Sequence, residues 1–270
     1  DGAEKVLLDP NQWSSDNTVS LGVWNPSWDG KKIVFARKPN AADEATLYVL
    51  DVDTGKESEV DVIPGAKYAS PSWLPDNKSF IYEWLPVDPK IEVSERPGYC
   101  ELRQHVLGTA PDKDTQLHPR TGDPKTFLRG GVSRDGKFQF VSIDRGWNEN
   151  DLFFKRVGKD KTWQLLVAGK DAIYSAEAWK GVIYVTTDEG APNKHEFPVD
   201  PNKFERKNWK ELIPEDKTAA RESVSIVGGH LAIASLKKAA SAIELFDLNG
   251  KKVRDVELPG LGTASNLFGE

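Results

Sequence analysis

The chain has 270 residues, of which 38% are hydrophobic and 29% charged, with nine Trp and eleven Phe, enough apolar material for a substantial core and too much for a disordered segment. A formal net charge of −6 has the wrong sign for binding phosphates, so nucleic acid is excluded as a partner. No stretch approaches the roughly 20 apolar residues of a membrane helix, and the lone Cys100 excludes an internal disulfide or a multi-cysteine zinc site, leaving a soluble domain as the expectation.

Taken in chain order, residues 4–9 read as a strand without a preceding partner. Strands are then expected over 20–24, 33–36 and 47–51, followed by the turn Asp53-Thr54-Gly55-Lys56 and a polar fourth strand near Val60. A tight turn before an apolar run recurs along the whole chain. Its copies are Trp28-Asp29-Gly30-Lys31 before Ile33-Val34-Phe35, Pro75-Asp76-Asn77-Lys78 before Phe80-Ile81-Tyr82, and Arg134-Asp135-Gly136-Lys137 before Phe138-Gln139-Phe140-Val141. Weaker copies are Lys180-Gly181 before Val182 and Gly228-Gly229 before Leu231. The intervals run from roughly 45 to 60 residues, the size of a four-stranded propeller blade, and Asp-Gly or Gly-Gly is the chemistry of a hairpin turn that needs positive φ. The longest interval holds Pro86, Pro89, Pro97 and Gly98, which reads as an elongated loop between the second and third strands of the second blade. Helical spacing is nowhere sustained. The expected fold is therefore all-β, a single β-propeller over residues 1–270 with five blades at about 18–61, 66–119, 126–169, 172–215 and 220–258. Residues 263–268 look like the first strand of a further blade and could meet 4–9 as a partial sixth. An unclosed ring would expose a blade edge to self-association.

The chemistry of sites is largely negative. No Gly-x-Ser-x-Gly occurs, and Ser133 lies in a repeated hairpin turn, so no serine nucleophile is expected. His105 and His195 fall on third strands of nonadjacent blades and His230 follows a Gly-Gly turn, so they, with His118, are read as satisfied or solvent-exposed rather than as metal ligands. Asp51-Val52-Asp53-Thr54-Gly55 lacks the later ligands of a calcium loop, and Gly260-Leu261-Gly262 lacks the third glycine of a dinucleotide loop. Asn77-Lys78-Ser79 fits a turn better than a glycosylation acceptor. Trp24, Trp28, Trp73, Trp84 and Trp179 are expected to pack within blades, whereas Trp147 lies past a strand end, where exposure and contact are equally open. No cofactor, metal or catalytic residue is expected.

Several phrases carry a resemblance. Leu8-Asp9-Pro10-Asn11 followed by Thr18-Val19-Ser20-Leu21-Gly22, together with Ser27-Trp28-Asp29-Gly30-Lys31, Glu95-Arg96-Pro97-Gly98-Tyr99, His105-Val106-Leu107-Gly108-Thr109 and Arg145-Gly146-Trp147, resembles the propeller of prolyl oligopeptidases over essentially the whole chain. Thr187-Asp188-Glu189-Gly190-Ala191-Pro192 and residues 223–229 are similar to bacterial members. In that family a seven-bladed propeller accompanies an α/β-hydrolase domain, sits over the active site, limits access to short peptides and opens to admit them. The resemblance implies a hydrolase domain and short peptides as partners. It also implies that Asp43 meets a basic residue of the hydrolase domain, and that Tyr68 and Trp147 line the substrate cleft beside Arg145.

Three functional readings stay open. The absence of Met and of a start residue points to an excised segment, rewritten by design, that serves as a non-catalytic scaffold. A natural gating domain of a prolyl oligopeptidase is the second, and a free-standing peptide- or ligand-binding propeller the third.

Overall fold

The repeated turns fold through one local chemistry. In the computed structural model, which describes residues 4–265 and 267, Gly30 and Gly136 take φ of 69° and 67°, and Asn77 takes 54° in the equivalent place. Only residues tolerant of the left-handed region fit there. Ser27 Oγ donates to Asp29 Oδ1 at 2.7 Å and accepts from Lys32 N at 3.0 Å. Ser133 does the same with Asp135 Oδ1 and Phe138 N, at 2.8 and 3.0 Å. Ser133 is thus a turn-forming hydroxyl.

Nineteen strands follow from these turns among the described residues. The first sheet joins β1 (Ser20–Pro26), β2 (Lys32–Lys38), β3 (Thr46–Asp51) and β4 (Ile63–Pro64), and the second β5 (Ser72–Trp73), β6 (Ser79–Trp84), β7 (Glu101–Val106) and β8 (Thr115–His118). The third comprises β9 (Thr126–Val132), β10 (Phe138–Arg145), β11 (Asn150–Arg156) and β12 (Gln164–Val167). The fourth holds β13 (Tyr174–Trp179), β14 (Val182–Thr187) and β15 (His195–Val199), and an isolated antiparallel bridge, Glu196 to Ile213, stands where a fourth strand would lie. The fifth holds β16 (Ala220–Val227), β17 (His230–Lys237), β18 (Ala240–Phe246) and β19 (Lys252–Val256). In every sheet consecutive strands are neighbours, the meander of a propeller blade, so the all-β expectation holds. The long loop runs over residues 85–100 and contains a 3-10 stretch, Val93–Tyr99.

The chain divides into two compact units, Asp1–Val132 with Val141–Asp144, and Ser133–Phe140 with Arg145–Glu270. In the first unit, alternate residues of β2 and β3 (Val34, Ala36, Leu47, Val49) pack on Trp73, Phe80 and Tyr82 of the second sheet. The other face of the first sheet, with Ile33, Phe35 and Leu50, is covered by Leu7, Leu8 and Trp13. Trp13 stacks on Phe35 at 5.6 Å, and the Arg37 guanidinium lies 4.6 Å from the Trp13 ring centre and 4.4 Å from that of Tyr48. In the second unit, Phe138, Leu152 and Phe154 pack on Tyr174, Ile183 and Phe197, while Tyr184 packs on Leu231 and Ile233.

The expected terminal strands are corrected. Residues 4–9 form no ladder, because Leu7 and Leu8 are used to cover a sheet face rather than to extend an edge. Residues 263–265 and 267 carry no strand either, and 266 and 268 lie outside the described residues. This tail is instead fastened to β18, with Ser241 N donating to Gly262 O and Ala264 N donating to Ser241 Oγ, both at 2.9 Å. The fourth strand of the first sheet comes after Val60, at Ile63–Pro64, where proline removes one donor. Trp24 and Trp28 are 58% and 49% exposed and are not core residues, in contrast to Trp73 at 2%. Trp28 instead caps the neighbouring sheet, its Nε1 donating to Trp73 O at 3.1 Å.

One buried polar group ties the first two sheets. His105 is fully buried, with Nε2 2.9 Å from Asp61 Oδ1 and Nδ1 2.8 Å from Asp114 Oδ1. Tyr82 OH donates to Asp114 Oδ2 at 2.6 Å, and Gly108 N donates to Asp61 Oδ1 at 2.6 Å. Two carboxylates accepting from both ring nitrogens demand an imidazolium. Burial opposes that charge, but the bonds to Asp114 and Asp61 outweigh it and push His105 up to about 9 from 6.5. The stabilisation is therefore complete below pH 6.5 and lost as pH rises through about 9. H105Q should lower stability by about 3 kcal/mol at pH 6, by stranding two buried carboxylates. Melting curves from pH 6 to 10 should also show a shallower decline in the variant than in the parent chain.

Candidate functional site

In a four-stranded meander the connections after the second and the fourth strand emerge at one edge of the sheet. Asp43 lies in the connection between β2 and β3, Tyr68 in that between β4 and β5, and Arg145 and Trp147 at the β10–β11 hairpin. Asp43, Tyr68 and Trp147 thus sit in connections of this kind, and Arg145 is the last residue of β10 beside one.

In the first unit the Asp43 side chain is 78% exposed, and Lys67 Nζ stands 3.7 Å from its Oδ2 and 3.9 Å from Glu44 Oε1. Arg96, from the long loop, reaches Glu44 Oε1 at 2.6 Å, and Lys67 Nζ lies 5.7 Å from the Tyr68 ring centre. The structure therefore brings Asp43 and Tyr68 together through Lys67. Tyr68 is aimed by a tight backbone approach: Leu85 N donates to Gly65 O at 2.8 Å, and Gly65 has φ of +81°, where a Cβ would fall 2.1 Å from Leu85 O. The Tyr68 ring meets Phe127 edge-on at 5.8 Å. With Pro97, Cys100, Leu128 and Arg129 these rings wall a cavity of about 110 Å³. Burial, followed by the repulsion of Cys100 and of the Glu44 and Asp43 carboxylates, raises the Tyr68 phenol, so the ring stays neutral. Burial likewise pushes the Cys100 thiol up to about 12.

Behind this wall Glu83, 1% exposed, accepts from Gly130 N and Ser70 N, both at 2.7 Å. It clamps β9 and the Tyr68 connection to β6. Burial outweighs these bonds and pushes Glu83 up to about 7.

In the second unit Arg145 Nη2 and Nε lie 2.7 and 3.0 Å from Asp151 Oδ2, and Arg145 N donates to Glu149 O at 2.8 Å. This closes the hairpin, Gly146 turns at φ of 74°, and Trp147 is left 96% exposed. Lys67, Arg96 and Phe127 were not anticipated as members of the site. Arg96 lies inside a phrase that carried the resemblance, Lys67 adjoins Tyr68, and Phe127 has no local signal. Among the described residues, no three His, Cys, Asp or Glu side chains are grouped to hold a metal.

Two outcomes test this geometry. Cys100 should resist a thiol reagent at pH 8 in the folded chain and react at once in denaturant, as a raised thiol pKa and burial dictate. For Glu83 the folded pKa lies above the usual 4.5, so its charge costs stability progressively from pH 4.5 to about 7. E83Q should flatten melting temperature against pH over that interval, while losing about 1 kcal/mol at pH 5 because Gln can accept only one of the two N–H bonds.

Similarity to known proteins gives the family of the chain. The family described as prolyl oligopeptidase, N-terminal beta-propeller domain, matches residues 1–270. A prolyl endopeptidase of Elizabethkingia meningoseptica is 27% identical over 100% of this chain and 38% of its own length, and prolyl oligopeptidase A of Galerina marginata is 24% identical over 96% and 38%. A solved structure from a study of two prolyl endopeptidases superposes with a TM-score of 0.94 at 60% identity, covering all of this chain and 40% of that one. Prolyl oligopeptidase B of Galerina marginata shares the fold, with a TM-score of 0.84 at 21% identity. The chain thus spans about two fifths of the length of these relatives and corresponds to their propeller, not to their catalytic domain. It belongs to the family of prolyl oligopeptidase N-terminal β-propeller domains.

Proposed function

We propose that this propeller is the non-catalytic, substrate-gating partner of a prolyl oligopeptidase catalytic domain. The observation that carries the reading is Trp147, held in solvent at 96% exposure on a hairpin braced by the Arg145–Asp151 pair. A large aromatic side chain on an anchored hairpin loses little entropy when covered, which makes it a contact residue. Asp43 supports the same reading, since a carboxylate 78% exposed beside Lys67 is available to a further cation. The relatives are prolyl endopeptidases more than twice as long as this chain, and the structural study of two of them concerns inter-domain dynamics in catalysis and specificity. In such an arrangement the propeller covers the peptide cleft, Asp43 holds the closed state and Trp147 contacts the peptide.

The test mixes the full chain with a separately produced catalytic domain of a prolyl endopeptidase and compares short with long proline-containing peptides. Addition of the chain should slow cleavage of the long peptide at least tenfold while sparing the short one. W147A should raise KM for the short peptide severalfold, and D43K should weaken association in a salt-dependent way. Lack of association by a well-folded chain would leave the free-standing scaffold as its role. Hydrolysis by the chain alone would overturn the non-catalytic reading.

A further inference from the structure

The wall of the Tyr68 cavity is built from two segments that share one internal fastening. Residues 65–71, which carry Tyr68, belong to no strand, whereas Phe127, Leu128 and Arg129 lie on β9. The Glu83 carboxyl of β6 stands between them: Oε1 accepts from Gly130 N and Oε2 from Ser70 N, each at 2.7 Å. Each oxygen therefore holds one side of the wall, and the two sides close where Tyr68 meets Phe127 edge-on at 5.8 Å.

The two sides are not equally fixed. A Cβ on Gly130 would fall 2.3 Å from Leu102 Cδ1, so β9 is pressed against β7 at this point. The connection is fastened at its ends, by Leu85 N donating to Gly65 O at 2.8 Å and Asn25 Nδ2 donating to Pro71 O at 3.0 Å. Between these ends Ser70 is exposed, so water can take over its N–H. An ionised carboxylate offers a full acceptor to each of two N–H groups. A protonated one keeps a single full acceptor, because its other oxygen becomes a hydroxyl that has to donate. The bond that yields is the one whose N–H water can serve, that of Ser70.

We propose that Glu83 is a positioning residue for the gate that works as a proton-operated latch. Ionised, it ties Ser70 to Gly130 and sets Tyr68 against Phe127. Protonated, it keeps Gly130 and releases Ser70, so the Tyr68 connection swings between Gly65 and Pro71 and the wall opens. As a control of peptide access the latch rests on the gating reading; as a movement of the wall it belongs to the free chain. Burial pushes Glu83 up to about 7, so the wall is closed above that pH and opens below it. Among the groups around it, Arg129 of β9 favours the carboxylate, while Cys100 ahead of β7 and Tyr68 on the connection are both held neutral. Glu101 of β7 is paired with Arg103, and Lys67 of the connection with Asp43 and Glu44.

The experiment labels the full chain with nitrogen-15 serine and glycine and follows the Ser70 and Gly130 amides by NMR from pH 5.5 to 8, together with the Overhauser contact between the Tyr68 and Phe127 rings. Corrected for its intrinsic rate, the Ser70 amide should exchange about tenfold faster at pH 5.5 than at pH 8, and the Gly130 amide less than about twofold faster. The ring contact should fade with the same midpoint. E83Q, with one acceptor at every pH, should keep Ser70 released and the rings apart at both ends of the range, its melting temperature showing that it folds. A Ser70 amide indifferent to pH, a pH dependence that survives in E83Q, or equal loosening of both amides would overturn the latch. In the mixture with a catalytic domain, KM for the short peptide should be severalfold higher at pH 6 than at pH 8, beyond any change in the domain alone, and high at both with E83Q. A mixture that associates without this difference would overturn the control of access. Failure to associate would count against the gating reading alone, with the amide and ring signals still deciding the latch.

Discussion

Polar side chains at the seams between sheets, each answered by the backbone of the next sheet, are the constraint on which the remaining structure depends. Asn25 Nδ2 donates to Pro71 O at 3.0 Å, and Glu83 accepts from Gly130 N at 2.7 Å. Asn150 exchanges two 2.8 Å bonds with the Tyr174 backbone, and Glu177 accepts from Ile226 N at 2.8 Å. Apolar packing between blade faces is strong but indifferent to sliding, since Val, Leu and Phe contacts have no direction. A buried amide or carboxylate is stable only where its partner is in place, so the bonds of the buried Glu83 and Asn150 each select one register.

That selection has an electrostatic consequence. Carboxylates enclosed at seams cannot be hydrated, and Glu83 and Glu196 are accordingly both pushed up to about 7 by burial. His105 goes the opposite way, gaining charge because Asp114 and Asp61 clamp both its nitrogens. All three groups bind protons more tightly when folded, so the seams as a whole favour mildly acid pH. The connections differ. There Asp43 and Trp147 stand in solvent, and the ion pairs around Lys67 and Arg96 are partly hydrated, so they contribute little to stability and remain exchangeable. A rigid seam with exchangeable charges at its edge is the division of labour a domain needs if its edge meets another surface.

Much of the fold was legible because its signals are local. Asp29-Gly30, Asp76-Asn77 and Asp135-Gly136 announce their turns wherever they occur, since positive φ restricts the residue type and the Asp carboxylate bonds the backbone two residues on. The terminal segments misled for the complementary reason. Residues 4–9 are apolar enough to resemble a strand, yet an apolar segment can also lie across a sheet face, and only the need to cover Ile33 and Phe35 on the first sheet decides between these uses. Trp24 misled similarly, because an aromatic on a first strand is buried only if another sheet covers that side.

What the sequence determined by itself was the blade repeat, the absence of a nucleophile elbow and, through the phrases it shares with prolyl oligopeptidases, the family and the candidates Asp43, Tyr68, Arg145 and Trp147. These rest on residue identity and short spacing, which a linear chain displays. The tertiary structure alone decided that Lys67 links Asp43 to Tyr68, that Phe127 closes the wall beside Cys100, and that Glu83 joins Ser70 to Gly130. Those residues come from different strands or connections, and their meeting depends on sheet register and on the seam between sheets, which the spacing of residues along the chain does not encode.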